Sequence, residues 1–192
     1  MGSYDYSANN VVNFQMIHCR MNHITDRTRW GVIGSNFCKN ILLEDCTLSR
    51  MDTHMGVSGS YTIRRCRLGH MGLNAIGRGT LTVEGSTLYG PHLVNFRRDY
   101  GSTWEGEVVI RDSRWRCDHG WDIDLDDGSS NYDIYNNLML QGGLKLREGF
   151  RRRAWNNITV NNGFHPHVWY NHSGDEVFGN IFMRAHRGAR MP

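Results

Sequence analysis

Along most of the chain, segments of about eight residues alternate apolar and polar positions, and the segments superimpose on one another. ILLEDCTL (41–48), YTIRRCRL (61–68), LTVEGSTL (81–88), VVIRDSRW (108–115), YDIYNNLM (132–139), RAWNNIT (153–159) and DEVFGNIF (175–182) share one frame, and FQMIHCRM (14–21) is an earlier copy. One position in that frame is always small and polar or a thiol: Cys19, Cys46, Cys66, Ser86, Ser113, Asn137, Asn157 and Asn180, at intervals of 20 to 27 residues. Three residues before it stands an apolar residue (Met16, Leu43, Ile63, Val83, Ile110, Ile134, Ala154, Val177), and two after it another, with Thr159 the exception. Alternation of this kind buries one face of a strand. A fixed period of this length is the mark of a stacked-coil architecture.

The pattern predicts an all-β, right-handed parallel β-helix: one solenoid of about eight coils, in which stacked Asn side chains bond along a column and satisfy turn amides. Antiparallel hairpins are the competing arrangement. Against them, two-residue Asn-Gly turns are scarce and the repeat is one strand-turn-strand unit. The expected organisation is a single domain over 1–192, with generic coils over 11–116, coils bearing the candidate chemistry over 117–183 and a basic tail over 184–192. Open solenoid ends invite pairing with another chain, a route to a homo-oligomer.

Composition adds exclusions. About two in five residues are hydrophobic (39%), the net charge is only +3, and basic residues are dispersed until Arg184 to Arg190, which argues against a nucleic-acid partner. No apolar leader and no bilayer-length apolar run appear, so no membrane partner is expected and the chain reads as cytoplasmic or as a fragment of a longer protein. Five cysteines without a CxxC pair suggest reduced, buried thiols rather than a zinc site. Cys46 and Cys66, as coil neighbours, come within disulfide reach.

Candidate chemistry is concentrated in three glycine-led strands: GWDIDLDDG (120–128), GLKLREGF (143–150) and GFHPHVWY (163–170). Registered on their glycines, they place Trp121, Leu144 and Phe164 inward, with Ile123, Leu146 and Pro166. The outward columns are then Asp122, Lys145, His165 and Asp124, Arg147, His167, and the coil before adds Asn95 and Arg97. An ion ladder that only keeps the face in register is the plain reading. Crowding of Asp122, Asp124, Asp126, Asp127 and Glu148 within two coils favours chemistry, because repelling carboxylates acquire separated pKa values.

Coil spacing of about 4.8 Å suits the roughly 5 to 5.5 Å carboxylate separation of retaining glycosidases. Glu148 is the candidate acid/base and Asp124 or Asp126 the candidate nucleophile. An offset of 24 residues pairs Asp124 with Glu148, whereas an offset of 23 puts Leu125 there. Asp122, Lys145, Arg147, His165, His167 and Arg97 are candidate substrate contacts. His165 and His167 share a strand face, but a surface polar role is commoner for such a pair than metal ligation, so no metal site is assigned. Trp121, Trp155, Trp169 and Tyr170 are candidate sugar-stacking rings, of which Trp121 reads more as core.

The stretch GWDIDLDDGSSNYDIYNNLMLQGGLKLREGF with NNITVNNGFHPHVWYN resembles the β-helix core of family 120 glycoside hydrolases, the β-xylosidases. The resemblance covers roughly 117–183 and implies retaining hydrolysis of xylo-oligosaccharides, with Glu148 as acid/base and an Asp of DIDLDDG as nucleophile. The expected partner is an oligosaccharide or polysaccharide, with no cofactor. Two alternatives stand beside it: a polysaccharide lyase using Lys145 or Arg147 as base with Ca²⁺ held by the Asp cluster, and a non-enzymatic glycan-binding or structural rod.

Overall fold

In the computed structural model, residues 12–22, 38–49, 55–57, 59–69, 73–76, 80–90, 95–97, 108–117, 121–126 and 129–183 are described. They form a parallel β-solenoid, as the repeat predicts for a right-handed β-helix. Every strand pairing among them is parallel, which excludes the hairpin arrangement there.

Among the described residues the strands form three parallel sheets. The first has eight strands: Gln15–Ile17, Cys38–Glu44, Gly59–Arg64, Leu81–Glu84, Val108–Arg111, Tyr132–Tyr135, Arg152–Trp155 and Glu176–Phe178. The second, also of eight, runs from Arg20–Asn22 through Thr87–Gly90, Arg114–Cys117, Leu138–Met139 and Ile158–Thr159 to Ile181–Phe182. The third has six: Met55–Val57, Leu73–Ile76, Asn95–Arg97, Ile123–Asp126, Leu144–Leu146 and Phe164–Pro166.

First and second sheets meet at a sharp bend built the same way in every coil. The residue before each ladder position lies in the left-handed region, at φ between 50° and 61°: His18, Asp45, Arg65, Gly85, Asp112, Asn136, Asn156 and Gly179. That conformation costs a residue with a Cβ about 1–2 kcal/mol. Ladder hydrogen bonds offset it. The backbone N–H of Cys66 donates to Ser86 Oγ, that of Ser86 to Ser113 Oγ, that of Ser113 to Asn137 Oδ1 and that of Asn137 to Asn157 Oδ1, at 3.0 to 3.2 Å. Asn157 passes the chain on to Asn180 Oδ1 at 2.9 Å.

The core is the inward face predicted from the repeat. Leu43, Ile63, Val83, Ile110 and Ile134 are fully enclosed, as are Leu48, Leu68, Trp115 and Met139 from the second sheet. Thr159, the exception to the apolar rule, is buried as well. Cys46 and Cys66 are free thiols within this core rather than a disulfide.

Candidate functional site

The third sheet carries the candidate chemistry, and its register differs from the one expected. Asp124 pairs with Lys145 and Lys145 with His165, so one column runs Asn95, Asp124, Lys145, His165. Arg97 pairs with Asp126, not Asp124. The inward columns are Ile123, Leu144, Phe164 and Leu125, Leu146, Pro166. The cause is the turn before Ile123: Asp124 and Lys145 are 21 residues apart, whereas the ladder residues Ser113 and Asn137 of the same two coils are 24 apart. Neither the offset of 24 nor that of 23 applies in this sheet, and Asp124 does not face Glu148.

Asp122 is therefore not an outward residue of the column. Its side chain is fully enclosed, and Oδ2 accepts the backbone N–H groups of Gln141, Gly142 and Gly143 at 3.1, 2.8 and 3.1 Å. Three convergent amides make it the anchor of the turn that leads into the Leu144 strand. Gly143 is required in that turn, since its φ is +70° and a Cβ would lie 2.2 Å from the Gly163 carbonyl oxygen.

Asp124 lies one step along the strand and is almost as enclosed. Its Oδ2 accepts from Lys145 Nζ at 3.1 Å, and the two side chains are 2% and 14% exposed. Lys145 also sits over the Trp121 ring, 5.8 Å from its centroid, and the His165 ring meets Trp121 edge-on at 4.0 Å. Trp121 is half-buried beneath these two residues rather than a core residue. His165 Nε2 donates to Asn162 Oδ1 at 2.7 Å, and because that oxygen also accepts the Gly163 N–H at 2.9 Å, it fixes Nε2 as the protonated nitrogen. His167 is exposed, and its backbone N–H donates to the Leu146 carbonyl at 2.8 Å.

Glu148 and Arg147 form a pair at the end of the strand. Arg147 Nε lies 3.3 Å from Glu148 Oε2, and both side chains are mostly covered, at 28% and 13% exposure. Arg147 N–H donates to the Leu125 carbonyl, so continuing the register brings Asp126 alongside Arg147, one residue from Glu148. The side chains of Asp126 and Arg97, and the whole of Asp127, lie outside the described residues. Among the described residues no group of three His, Cys, Asp or Glu side chains is placed to hold a metal ion.

The candidate stacking rings differ among themselves. Trp155 is covered on its faces, by Tyr135 at 4.4 Å and Phe178 at 6.1 Å, so it presents only an edge. Trp169 packs edge-on against Phe164 and donates to Ser173 Oγ at 2.9 Å, a support for the last coil. Tyr170 stacks on Phe150 at 5.7 Å, and this pair is exposed, at 41% and 47%. Phe150 lies two residues beyond Glu148, outside the repeat frame, so the periodicity of the sequence does not single it out.

The clearest ion ladder lies elsewhere, on the first sheet, where Arg64 and Arg65 bond Glu44, Arg111 bonds Glu84 and Arg153 bonds Asp133. The Arg64 guanidinium beside Glu44, helped by Arg65, holds that carboxyl below its ordinary range.

No protein-family model matches the chain, and no solved structure matches it. A curated relative that does match is a capsule KL64-specific depolymerase of Klebsiella phage P510, 34% identical over 94 residues. The match takes in 43% of this chain and 9% of the relative, so the chain corresponds to a small part of that protein.

Proposed function

We propose that this chain is a carbohydrate-active solenoid that cleaves a polysaccharide, as the phage depolymerase does by its name, and that it does so by retaining hydrolysis. The observation that carries the reading is the third sheet's face: Asp124, Lys145, His165 and the Trp121 ring are held together there, and the Arg147 and Glu148 pair closes the same strand. An aromatic ring flanked by fixed polar groups suits a sugar, which offers both C–H faces and hydroxyls.

In this reading Glu148 protonates the glycosidic oxygen as its bond to the anomeric carbon breaks. A carboxylate of the neighbouring coil attacks that carbon to form a glycosyl ester. Water, deprotonated by Glu148, then displaces the ester and regenerates both groups. Of the two candidate nucleophiles Asp126 is preferred, because the Asp124 carboxylate is enclosed and engaged with Lys145. By register Asp126 stands one coil from Arg147 and diagonal to Glu148, so a coil spacing of about 4.8 Å keeps the two positions near the retaining separation. Lys145, His165 and Arg147 are the substrate contacts. A β-xyloside is the finer substrate, supported by the family 120 resemblance alone.

The test is turnover of capsular polysaccharide and of aryl β-xylosides, followed as new reducing ends. Wild-type activity with retained anomeric configuration, lost in Glu148→Gln, is the expected result. Undiminished activity in Glu148→Gln, or an unsaturated product absorbing in the ultraviolet, sinks it, the latter in favour of a lyase.

A further inference from the structure

We infer that the buried pair Arg152 and Asp175 is a positioning device for Glu148, an inference that rests on the acid/base role given to Glu148 above. The column of the first sheet that contains Arg152 is apolar in every preceding coil from Ile41 onward: Ile41, Tyr61, Leu81, Val108 and Tyr132 stand in register, and Arg152 follows. The side chains of Arg152 and Asp175 are 1% and 0% exposed. Two charges thus enter the core directly after Glu148, Arg152 on the first strand beyond it and Asp175 one coil further on.

Burying such a pair costs desolvation that an apolar pair avoids, and replacement by hydrophobic residues is often neutral or stabilising. A stacked core therefore has no need of it. What the pair supplies is directional bonding. Arg152 Nε donates to Asp175 Oδ1 at 3.0 Å, Nη2 bonds Oδ2, and the Arg152 backbone N–H donates to Oδ1 at 2.9 Å. With its fork held in this way, Arg152 turns its remaining nitrogen, Nη1, onto the carbonyl oxygen of Arg147.

That carbonyl belongs to the peptide joining Arg147 to Glu148. On the far side of Glu148, Gly149 packs so closely that a Cβ would lie 2.1 Å from the Ser129 carbonyl oxygen and 3.0 Å from Arg152 Nη1, at a φ of +153°. Glu148 is thus held between a peptide clamped by Arg152 and a glycine wedged against the preceding coil. Its carboxylate then has Arg147 as neighbour at 3.3 Å. Arg152 touches no substrate in this arrangement; it acts through the backbone of Glu148.

The experiment uses aryl β-glycosides that differ in leaving group, with kcat and KM measured separately. Dinitrophenolate departs without protonation, whereas a poorly activated phenol needs the acid. Arg152→Met with Asp175→Asn removes both buried charges together, so that neither is left alone. The expected result is a loss of at least about tenfold in kcat/KM on the poor leaving group and kcat/KM within about twofold on the dinitrophenyl substrate, whose kcat falls because hydrolysis of the glycosyl ester still needs Glu148 as base. A purely structural role lowers both substrates alike, through the amount of folded protein seen by circular dichroism. Arg152→Lys keeps a cation opposite Asp175 but lacks the third arm of the fork. It carries the same expectation should the double variant fold poorly.

Unchanged leaving-group dependence in these variants, with Glu148→Gln inactive on the poor leaving group, overturns the positioning role and leaves the hydrolase reading intact. A wild-type protein inert to the whole panel, or a Glu148→Gln variant as active as wild type, overturns that reading and this inference with it.

Discussion

Asn157 Oδ1 accepts two hydrogen bonds from Asn137, one from its backbone N–H and one from its side-chain amide, both at 3.0 Å. In return, Asn157 Nδ2 donates to the Ile134 carbonyl at 2.9 Å. One asparagine thus satisfies a buried donor and a buried acceptor of the coil before it. Asn157→Ala is expected to destabilise the fold by about 2–3 kcal/mol, because both partners are left buried without it. Asn157→Ser should cost less, since Ser113 Oγ accepts the Ser86 N–H in the same slot at 3.2 Å. Denaturant unfolding of the two variants measures the difference.

This ladder explains why the architecture was legible in the sequence. A stacked column tolerates only residues that bond or pack in one small slot, so Cys, Ser and Asn recur there, and Asp, Asn or Gly often precedes them to take the left-handed turn. The third sheet obeys no such rule. Its register depends on the length of the turn that leads into it, and between Cys117 and Ile123 that turn is longer than its successors. The glycine frame accordingly aligns Lys145 with His165 correctly but sets Asp122 where Asp124 stands, while the first-sheet ion ladder and the Arg152 and Asp175 pair, split between distant segments, leave no local pattern.

Asp122 illustrates the consequence. Aspartate that accepts three backbone N–H groups is a structural residue, and Asp122→Ala should cost about 2–4 kcal/mol by leaving those donors buried and unmet. The loss should appear in thermal or denaturant unfolding. Turnover per folded molecule at low temperature should be retained, and a variant of wild-type stability that had lost substrate binding would return Asp122 to the site.

Burial pushes the Cys66 thiol up to about 11. A thiol with a raised pKa retains its proton in the folded protein where the unfolded chain has released it, so its contribution to stability is full below the ordinary value near 9 and is lost as pH rises towards 11. The reactive thiolate is correspondingly scarce at neutral pH. An aromatic disulfide reagent should label Cys66 at pH 8 only as fast as the protein unfolds, and fast labelling of the native protein contradicts this.

Phe150 and Tyr170 present exposed rings at the turn that follows Glu148. If they receive a sugar beyond the scissile bond, Phe150→Ala with Tyr170→Ala should raise KM for a long oligosaccharide by about five- to tenfold, as expected for one lost stacking contact. An aryl monosaccharide does not reach that far, and its KM should be unmoved. An equal change for both substrates would point to a displaced Glu148 instead.

Lys145 and Asp124 are a mostly enclosed pair, and removing one partner differs from removing both. Lys145→Met takes the ammonium from a carboxylate that is only 2% exposed. It is expected to cost about 3–5 kcal/mol, the usual penalty for a buried charge deprived of its counterion. Adding Asp124→Asn to that background removes the charge and should recover most of the loss, in a double-mutant cycle read by denaturant unfolding. The recovered double variant also separates the two candidate nucleophiles. With Asp126 as nucleophile it keeps measurable kcat on a dinitrophenyl glycoside and shows its defect mainly in KM, in keeping with the substrate contact proposed for Lys145. With Asp124 as nucleophile, no glycosyl ester forms and turnover falls to background whatever the leaving group.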